Sequence, residues 1–280
     1  MKKYLELIKF EHTIFALPFA LMAMFVLSDG WPSGWKVTWI IIAMVSARTA
    51  AMTANRIFDF KYDRINPRTK KWPLVTGEVT LKQAWWMLVI SIIIFLISAG
   101  LLNLLALYCA PFVLLVLCGY SLTKRFTSLS HFVLGLSLGL APMGVGVALE
   151  AQFVWPLLWL TFAVLCWVAG FDIIYSCQDE DFDRKTGLYS IVVRFGIVKA
   201  LIISNILHII TVLCLVIFGI FYHLSWWYYL GVLVVSIVLF IEHKIISPKD
   251  MSKVNAAFFT ANGFVGIALL IFTILDVFNI

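Results

Sequence analysis

The acidic residues of this chain are concentrated in two short segments whose spacing suits ligands on one helix face. Of its fifteen Asp and Glu residues, two lie in the first segment and five lie between Asp172 and Asp183. In the first segment Asn55, Asp59 and Asp63 are four residues apart, which places them on one face of an α-helix. In the second segment, a continued helix would align Asp172, Tyr175, Asp179 and Asp183. Each segment is therefore predicted to present a ladder of oxygen ligands.

Carboxylates stacked in this way need a positive counterpart, because like charges repel and burial disfavours the charged form. Hard divalent cations fit, and Mg²⁺ commonly takes one or two carboxylates together with phosphate oxygens. Basic residues lie close to both segments: Arg64, Arg68, Lys70, Lys124, Arg125, Arg184 and Lys185. Carboxylates, Mg²⁺ and basic side chains around one pocket predict a diphosphate site. The alternative is a set of solvated surface charges, which fits two such motifs less well than one.

Two further arginines lie within the second apolar stretch. Arg48 precedes Asn55 by seven residues and shares its helix face, so it is a candidate for contacting an anionic substrate. Arg56 lies within the first acidic segment itself. Pairing with a carboxylate, simply to hold helices together, is an equally compatible interpretation of both residues.

The elements that must position these residues are strongly apolar. The 280-residue chain is 62% hydrophobic and 13% charged, whereas soluble domains carry roughly 25% charged residues. Several apolar runs reach the roughly 20 residues that a bilayer-spanning helix needs. These features predict an all-α, polytopic membrane bundle of nine transmembrane helices surrounding a cytoplasm-facing active-site cavity, with residues 1–280 as a single domain. The predicted spans are 11–29, 37–60, 83–102, 104–121, 130–149, 155–176, 197–221, 225–242 and 256–278.

The basic residues fall almost entirely on one side of these spans. With the N-terminus inside, eighteen of the 21 lie in inside segments, and the outside segments hold only Lys36. Cytoplasmic loops carry the Lys and Arg excess, so we expect a cytoplasmic N-terminus and an outside C-terminus in a prokaryotic-type inner or plasma membrane. Charge dispersed in short loops argues against a nucleic-acid partner. The five scattered cysteines are interpreted as packing residues.

Four ordered elements resemble the UbiA superfamily of intramembrane prenyltransferases, and the likeness covers the whole chain. They are Asn55-x-x-x-Asp59-x-x-x-Asp63, Asn66-Pro67-Arg68-Thr69 with Pro73-Leu74-x-x-Gly77, Tyr120-x-x-x-Lys124-Arg125, and Asp172-Ile173-Ile174-Tyr175 with Asp179-x-x-x-Asp183. One departure is Trp72, where family members commonly have Arg. The phosphate or loop contact of that Arg would then fall to Lys70 or Lys71.

The resemblance implies transfer of a polyprenyl group from an allylic prenyl diphosphate to an aromatic hydroxy acid such as 4-hydroxybenzoate, in ubiquinone or menaquinone biosynthesis. Ionisation of the diphosphate would be followed by attack of the aromatic ring. The implied Mg²⁺ ligands are Asn55, Asp59, Asp63, Asp179 and Asp183. The implied substrate-binding residues are Arg48, Asn55, Arg56, Arg68, Tyr120, Lys124, Arg125, Tyr175 and Lys185. The implied catalytic carboxylates are Asp59, Asp63, Asp172, Asp179 and Asp183, with Asp172 or Asp183 taking up the ring proton.

Several alternatives stay open at this point. Related enzymes use haem, chlorophyllide or a glycerol-phosphate lipid as acceptor, and residues 9–18 are similar to menaquinone-pathway relatives that would use a bicyclic aromatic acid. Glu11 and His12 could line the acceptor pocket or be ordinary interfacial residues. A cation-coupled transporter is disfavoured because transporter sites usually lie mid-membrane between repeated halves, and a membrane phosphotransferase would carry one tight motif. The lipid bilayer is an expected partner, and no obligate protein partner is inferred.

Overall fold

The computed structural model describes residues 2–8, 15–247, 254 and 262–279, and its regular structure is helical. The helices are α1 (Lys2–Leu7), α2 (Leu17–Ser28), α3 (Gly34–Asp63), α4 (Pro73–Thr76), α5 (Leu81–Leu102), α6 (Leu104–Gly119), α7 (Ser130–Glu150), α8 (Leu157–Ser176), α9 (Glu180–Thr186), α10 (Ile191–Phe221), α11 (Trp226–Ile245) and α12 (Asn262–Val277). Short 3₁₀ helices, Tyr120–Arg125 and Cys177–Asp179, follow α6 and α8. The predicted all-α class is confirmed.

Seven of the described spans are long and apolar enough to cross a bilayer: α3, α5, α6 with its 3₁₀ extension, α7, α8 through α9, α10 and α11. The shorter apolar helices α2 and α12 fall within the first and ninth predicted spans, and residues outside the described ranges adjoin both of them. The count of nine therefore stays a prediction.

One boundary differs clearly at α10, which begins at Ile191 rather than at the predicted residue 197. Ser190 caps this early start, because its hydroxyl accepts a hydrogen bond from the Val193 amide at 3.0 Å. Gly196 then breaks the helical path with φ 79° and ψ 161°, a conformation that glycine adopts without steric cost. The apolar periodicity resumes after this kink, which is where the sequence pattern begins the span.

The helices form two groups around a central cavity. In one group α3 packs chiefly against α5 and α6, and in the other α8 lies between α7 and α10, while α11 packs on α12 and α2 on α7. α7 also contacts α6, which joins the groups along one side. The core of the second group is aromatic, with Trp167 fully buried against Phe15, Phe19 and Phe171.

Small residues on α7 allow this helix to approach α8 closely. A Cβ atom on Gly139 would lie only 2.7 Å from the Thr161 carbonyl oxygen, and one on Gly135 would overlap the Leu165 carbonyl. Gly144 differs, because it lines the cavity and has open space where a Cβ atom would be. Close helix contact thus accounts for Gly135 and Gly139 but not for Gly144.

Candidate active site

One long cavity of about 1150 Å³ separates the two helix groups. On α3 its lining extends from Asp63 at one end past Asn55 to Ile40. Asn55 and Ile40 are fifteen residues apart, or about 22 Å along the helix at 1.5 Å per residue. The acidic motifs line one end, and mostly apolar side chains, with Arg48 among them, line the remainder. The cavity thus joins a charged compartment to a long apolar one.

The first acidic motif lies on α3 and meets the basic end of α6. Asp59 is buried, and its Oδ2 atom is 2.9 Å from Lys124 Nζ and accepts a hydrogen bond from Asn55 Nδ2 at 3.0 Å. Arg125 Nη2 lies 3.6 Å from Asp59 Oδ1 and donates to the Phe58 carbonyl at 2.5 Å. The 3₁₀ helix that ends at Arg125 therefore presents two cations to one carboxylate.

The second acidic motif is interrupted, which corrects the expectation of one continued helix. α8 ends at Ser176, and a 3₁₀ turn over Cys177–Asp179 precedes α9. This turn has about 3.0 rather than 3.6 residues per turn. It therefore changes the direction in which the side chains after it point, relative to a continuous α-helix. The predicted set still lines the cavity: Asp172, Tyr175, Asp179 and Asp183. The lining does not include Glu180 or Asp181.

Arg68 reaches across the cavity from the segment that follows α3. Its Nη2 and Nε atoms donate to the two oxygens of Asp179 at 2.7 and 3.2 Å, and Nη1 donates to the Tyr175 hydroxyl at 2.9 Å. Burial lowers the pKa of the Arg68 guanidinium, but Asp179 and Tyr175 outweigh this effect and leave its pKa above the ordinary value. A charged two-point contact thus ties the first helix group to the second.

Asp172 has a different kind of partner. His131, a buried residue at the start of α7, places Nδ1 2.7 Å from Asp172 Oδ2, and both residues line the cavity. The sequence analysis missed His131. The available signal was an ionisable residue at the beginning of an apolar span, which is by default a functional candidate.

Arg48, Arg56 and Tyr120 all line the cavity, but Arg56 is also engaged in holding the fold. Its guanidinium lies 3.5 Å from the ring centroid of Trp72, and its Nε donates to the Leu7 carbonyl at 3.3 Å. The residue that departs from the family pattern, Trp72, therefore forms a cation–π contact. Arg56 thus helps to hold the fold through an aromatic ring and a backbone carbonyl, whereas the carboxylate pairing considered from the sequence is not among the described ion pairs.

Some predicted contacts are not brought to the cavity. Lys185 is exposed and outside the lining, because it follows Asp183 by two positions and so points about 200° away around α9. Lys70 and Lys71 are also exposed and outside the lining. Neither is therefore placed at the cavity to make the contact of the family Arg whose position Trp72 occupies. Arg125 reaches Asp59 without lining the cavity. Glu11 and His12 lie outside the described residues.

The donor set suits a hard cation that phosphate oxygens help to hold. Among the described residues no three Asp, Glu, His or Cys side chains converge into a metal cage. Buried Asp59 Oδ1 forms no hydrogen bond there, and no described ion pair engages Asp63 or Asp183. Mg²⁺ typically uses one or two carboxylates, with waters and phosphates completing its octahedron. The residues therefore fit Mg²⁺ bound together with a diphosphate.

The apolar spans and the motif-lined cavity define a multi-pass integral membrane protein with an intramembrane site. Residues 16–264 match the UbiA prenyltransferase family, so the chain belongs to this family and is a prenyltransferase. This overrides the transporter and phosphotransferase alternatives.

Three similar proteins illustrate the range of the family. The 4-hydroxybenzoate octaprenyltransferase of Enterobacter sp. (strain 638) is 30% identical over 90% of this chain and 86% of its own length. The apo structure of a UbiA homolog from Aeropyrum pernix K1 is 35% identical, with a TM-score of 0.86 over 95% of this chain and 98% of the homolog. A UbiA homolog from Archaeoglobus fulgidus bound to GPP and Mg²⁺ is 21% identical, with a TM-score of 0.69 over 99% and 100% of the two chains.

Proposed function

We propose that this prenyltransferase transfers a polyprenyl group from an allylic prenyl diphosphate to an aromatic hydroxy acid of the 4-hydroxybenzoate type, in quinone biosynthesis and with Mg²⁺. The observation that carries the proposal is the single cavity that joins a charged compartment to a long apolar one. A prenyl diphosphate has the same division into a charged head and an apolar chain. The 4-hydroxybenzoate octaprenyltransferase relative supports this class of acceptor.

The diphosphate would bind between the two acidic motifs. Mg²⁺, held by Asn55, Asp59, Asp63, Asp179 and Asp183, would neutralise the leaving group and so favour departure of the diphosphate. Lys124 and Arg68 contact Asp59 and Asp179 through flexible side chains, and both would turn to the diphosphate oxygens. Their fixed positive charge stabilises the negative charge that develops as the C–O bond breaks.

The rest of the cavity suits the allylic cation and the acceptor. Its apolar walls exclude water, which would otherwise capture the cation. Arg48 lines the cavity two helical turns beyond Asn55, about 10 Å deeper at 1.5 Å per residue. A guanidinium at this depth would bind the carboxylate of an aromatic acid and hold its ring towards the prenyl carbon. Asp172 or Asp183 would take up the ring proton.

We also propose that residues 1–280 form one domain of nine spans, with the charged compartment on the cytoplasmic side, the N-terminus inside and the C-terminus outside. The strong excess of Lys and Arg in the inside segments supports this orientation. The diphosphate donor and the aromatic acid would then enter from the cytoplasm, while the prenyl chain would remain at the depth of the bilayer.

The direct experiment is product formation by the purified, detergent-solubilised protein. With a polyprenyl diphosphate, 4-hydroxybenzoate and Mg²⁺, we expect a product whose mass equals the acid plus the prenyl group minus one hydrogen. Removing the cation with a chelator should abolish the product, and re-adding Mg²⁺ should restore it.

Two comparisons sharpen this experiment. Asp59→Ala and Asp179→Ala should each lower the rate by orders of magnitude, since about 1.4 kcal/mol of barrier is already tenfold. A bicyclic aromatic acid and a glycerol-phosphate acceptor should be tested in parallel. Wild-type rates in both variants would refute the proposed metal ligands, and product with only another acceptor would refute the 4-hydroxybenzoate assignment.

A further inference from the structure

Asp172 lines the cavity, and its described partner is a histidine rather than a Lys or Arg. Asp59 lies beside Lys124 and Arg125, and Asp179 binds Arg68. His131 Nδ1 lies 2.7 Å from Asp172 Oδ2, and the His131 side chain is 4% exposed while that of Asp172 is 26% exposed. Asp172 is thus held from behind by a buried ring and remains open to the cavity.

The second ring nitrogen of His131 fixes where the imidazole proton lies. The Ile191 amide donates to His131 Nε2 at 3.4 Å. Ile191 is the first residue of α10, where backbone N–H groups have no partner within the helix. Because an amide can only donate, Nε2 must supply the lone pair and the imidazole proton lies on Nδ1. In this geometry the Nδ1–H group of His131 donates to Oδ2 of Asp172.

Lys124 contacts an oxygen of Asp59, and Arg68 contacts both oxygens of Asp179. Asp172 is bound to His131 through Oδ2, and no described Lys or Arg side chain forms an ion pair with it. Asp172 also precedes Asp179 by seven residues, four on α8 and three in the 3₁₀ turn, or about 12 Å at 1.5 and 2.0 Å per residue. It lies at the depth where an aromatic ring would meet the prenyl carbon, beyond the residues that would hold the diphosphate.

We propose that Asp172 accepts the ring proton and that His131 is the positioning residue that holds Asp172 for this step. The inference rests on the proposed function. The donor C–O bond breaks and its electron pair leaves with the diphosphate, while a ring π-electron pair forms the new C–C bond. The C–H electron pair restores the aromatic ring, and its proton passes to Asp172 and then to water. His131 keeps its Nδ1 proton throughout and orients the carboxylate through Oδ2.

The test compares three substitutions of His131 by steady-state kinetics in both substrates. In His131→Asn the side-chain amide can replace the Nδ1–H donor, whereas His131→Leu has no donor. His131→Gln carries its amide further out, where it replaces Nε2 rather than Nδ1. A hydrogen bond to a charged group contributes enough to alter a rate by roughly ten- to hundredfold. We expect kcat to fall by this factor in the Leu and Gln variants, while the KM for the prenyl diphosphate stays within about twofold of wild type. The Asn variant should recover a substantial part of the lost kcat.

The control is Ser98→Ala, which removes a buried hydroxyl whose hydrogen bond remains within α5 and which lies outside the cavity lining. Mg²⁺-dependent binding of a prenyl diphosphate reports whether each variant is folded. If the Leu variant does not fold, the Asn and Gln variants decide, and equal rates in these two refute the inference. Wild-type turnover in the Leu variant would also refute the inference. So would a loss of kcat that is accompanied by an equal weakening of KM for the prenyl diphosphate and for the aromatic acid. An inactive wild-type protein would instead refute the proposed function.

Discussion

Two sets of ionisable side chains are buried among the helices, and they differ in what they face. The first set lines the cavity and draws its members from α3, α7, α8, α9 and the segments that follow α3, α6 and α8. The second lies between α8, α10, α11 and α12, outside the cavity lining. In it Asn262 donates to Glu242 Oε1 at 2.9 Å and accepts from Trp167 Nε1 at 2.8 Å, and His243 Nε2 lies 3.0 Å from His208 Nδ1.

The difference shows that buried charge alone does not mark a reactive site. Glu242 is 1% exposed, and its Oε2 atom lies 3.7 Å from His208 Nδ1, so a substrate has no path to it within the described structure. In the cavity, Asp59 and Asp179 contact flexible Lys and Arg side chains that can exchange them for another anion. The candidate active site therefore differs from a polar network that only joins helices. Its charged groups line an accessible cavity, and their Lys and Arg partners can bind a substrate anion instead.

The largest expected effect is on catalysis at the cavity. Asp183→Ala should lower the rate at least about a hundredfold, or roughly 2.7 kcal/mol of barrier, because it removes an oxygen ligand proposed for Mg²⁺. Asp181→Ala is the matched control, since Asp181 lies on the same helix but is exposed and outside the lining. It should keep wild-type activity. Equal losses in the two variants would remove the basis for assigning function by position at the cavity.

Substitutions in the polar network around Glu242 should instead lower stability and leave catalysis unchanged. Glu242→Ala removes the acceptor of the buried Asn262 amide and should lower the free energy of unfolding by about 1–3 kcal/mol. The KM for each substrate should remain at the wild-type value below the unfolding temperature. Thermal denaturation in detergent measures the first effect, with exposed Glu150→Ala as the control. A changed substrate KM without a change in stability would show that the network belongs to the site.

The same contrast can be tested with two glycines on α7. Gly139→Ala places a Cβ atom about 2.7 Å from the Thr161 carbonyl, and overpacking of this kind typically costs about 1–3 kcal/mol. Gly144→Leu projects into the cavity, where a Cβ atom meets open space, so the fold should be kept. The second variant should instead discriminate against longer prenyl diphosphates. Equal use of short and long donors would contradict the proposed path of the chain.

The smallest effect on stability and rate is expected at Trp72, which both lines the cavity and holds the fold through Arg56. Trp72→Leu removes the ring that stacks on Arg56, a contact worth about 1 kcal/mol. Thermal stability should fall by that amount, and the rate should change less than about threefold. Trp86, which is 60% exposed, provides the control Trp86→Leu. A loss of activity as large as that of Asp183→Ala would return Arg56 to a direct role in substrate binding.

Periodicity and charge predicted much of this architecture. Apolar runs of sufficient length have few alternatives to membrane helices, and i, i+4 spacing places Asn55, Asp59 and Asp63 on one face wherever the helix is regular. The pattern could not show that a 3₁₀ turn interrupts the second ladder, since Cys177 and Gln178 carry no breaker signal. The outward direction of Lys185, by contrast, follows from its position two residues after Asp183 on a helix.

Contacts between segments that are distant in the chain could not be predicted from the sequence either. His131 meets Asp172 from 41 positions away, and Asn262 meets Trp167 from 95. No local spacing encodes such pairs, because they depend on which helices become neighbours. For the same reason the sequence could not separate Glu242, sealed between helices, from the carboxylates that face a cavity.

The most direct test of the account is the binding of an unreactive prenyl diphosphate analogue to the purified protein, titrated with and without Mg²⁺. We predict that Mg²⁺ tightens binding at least about tenfold, or roughly 1.4 kcal/mol. Asp59→Ala should remove this dependence and Asp181→Ala should keep it. Equal affinity with and without Mg²⁺, or an undiminished Mg²⁺ effect in Asp59→Ala, would contradict the claim that the acidic motifs form a cation-assisted diphosphate site.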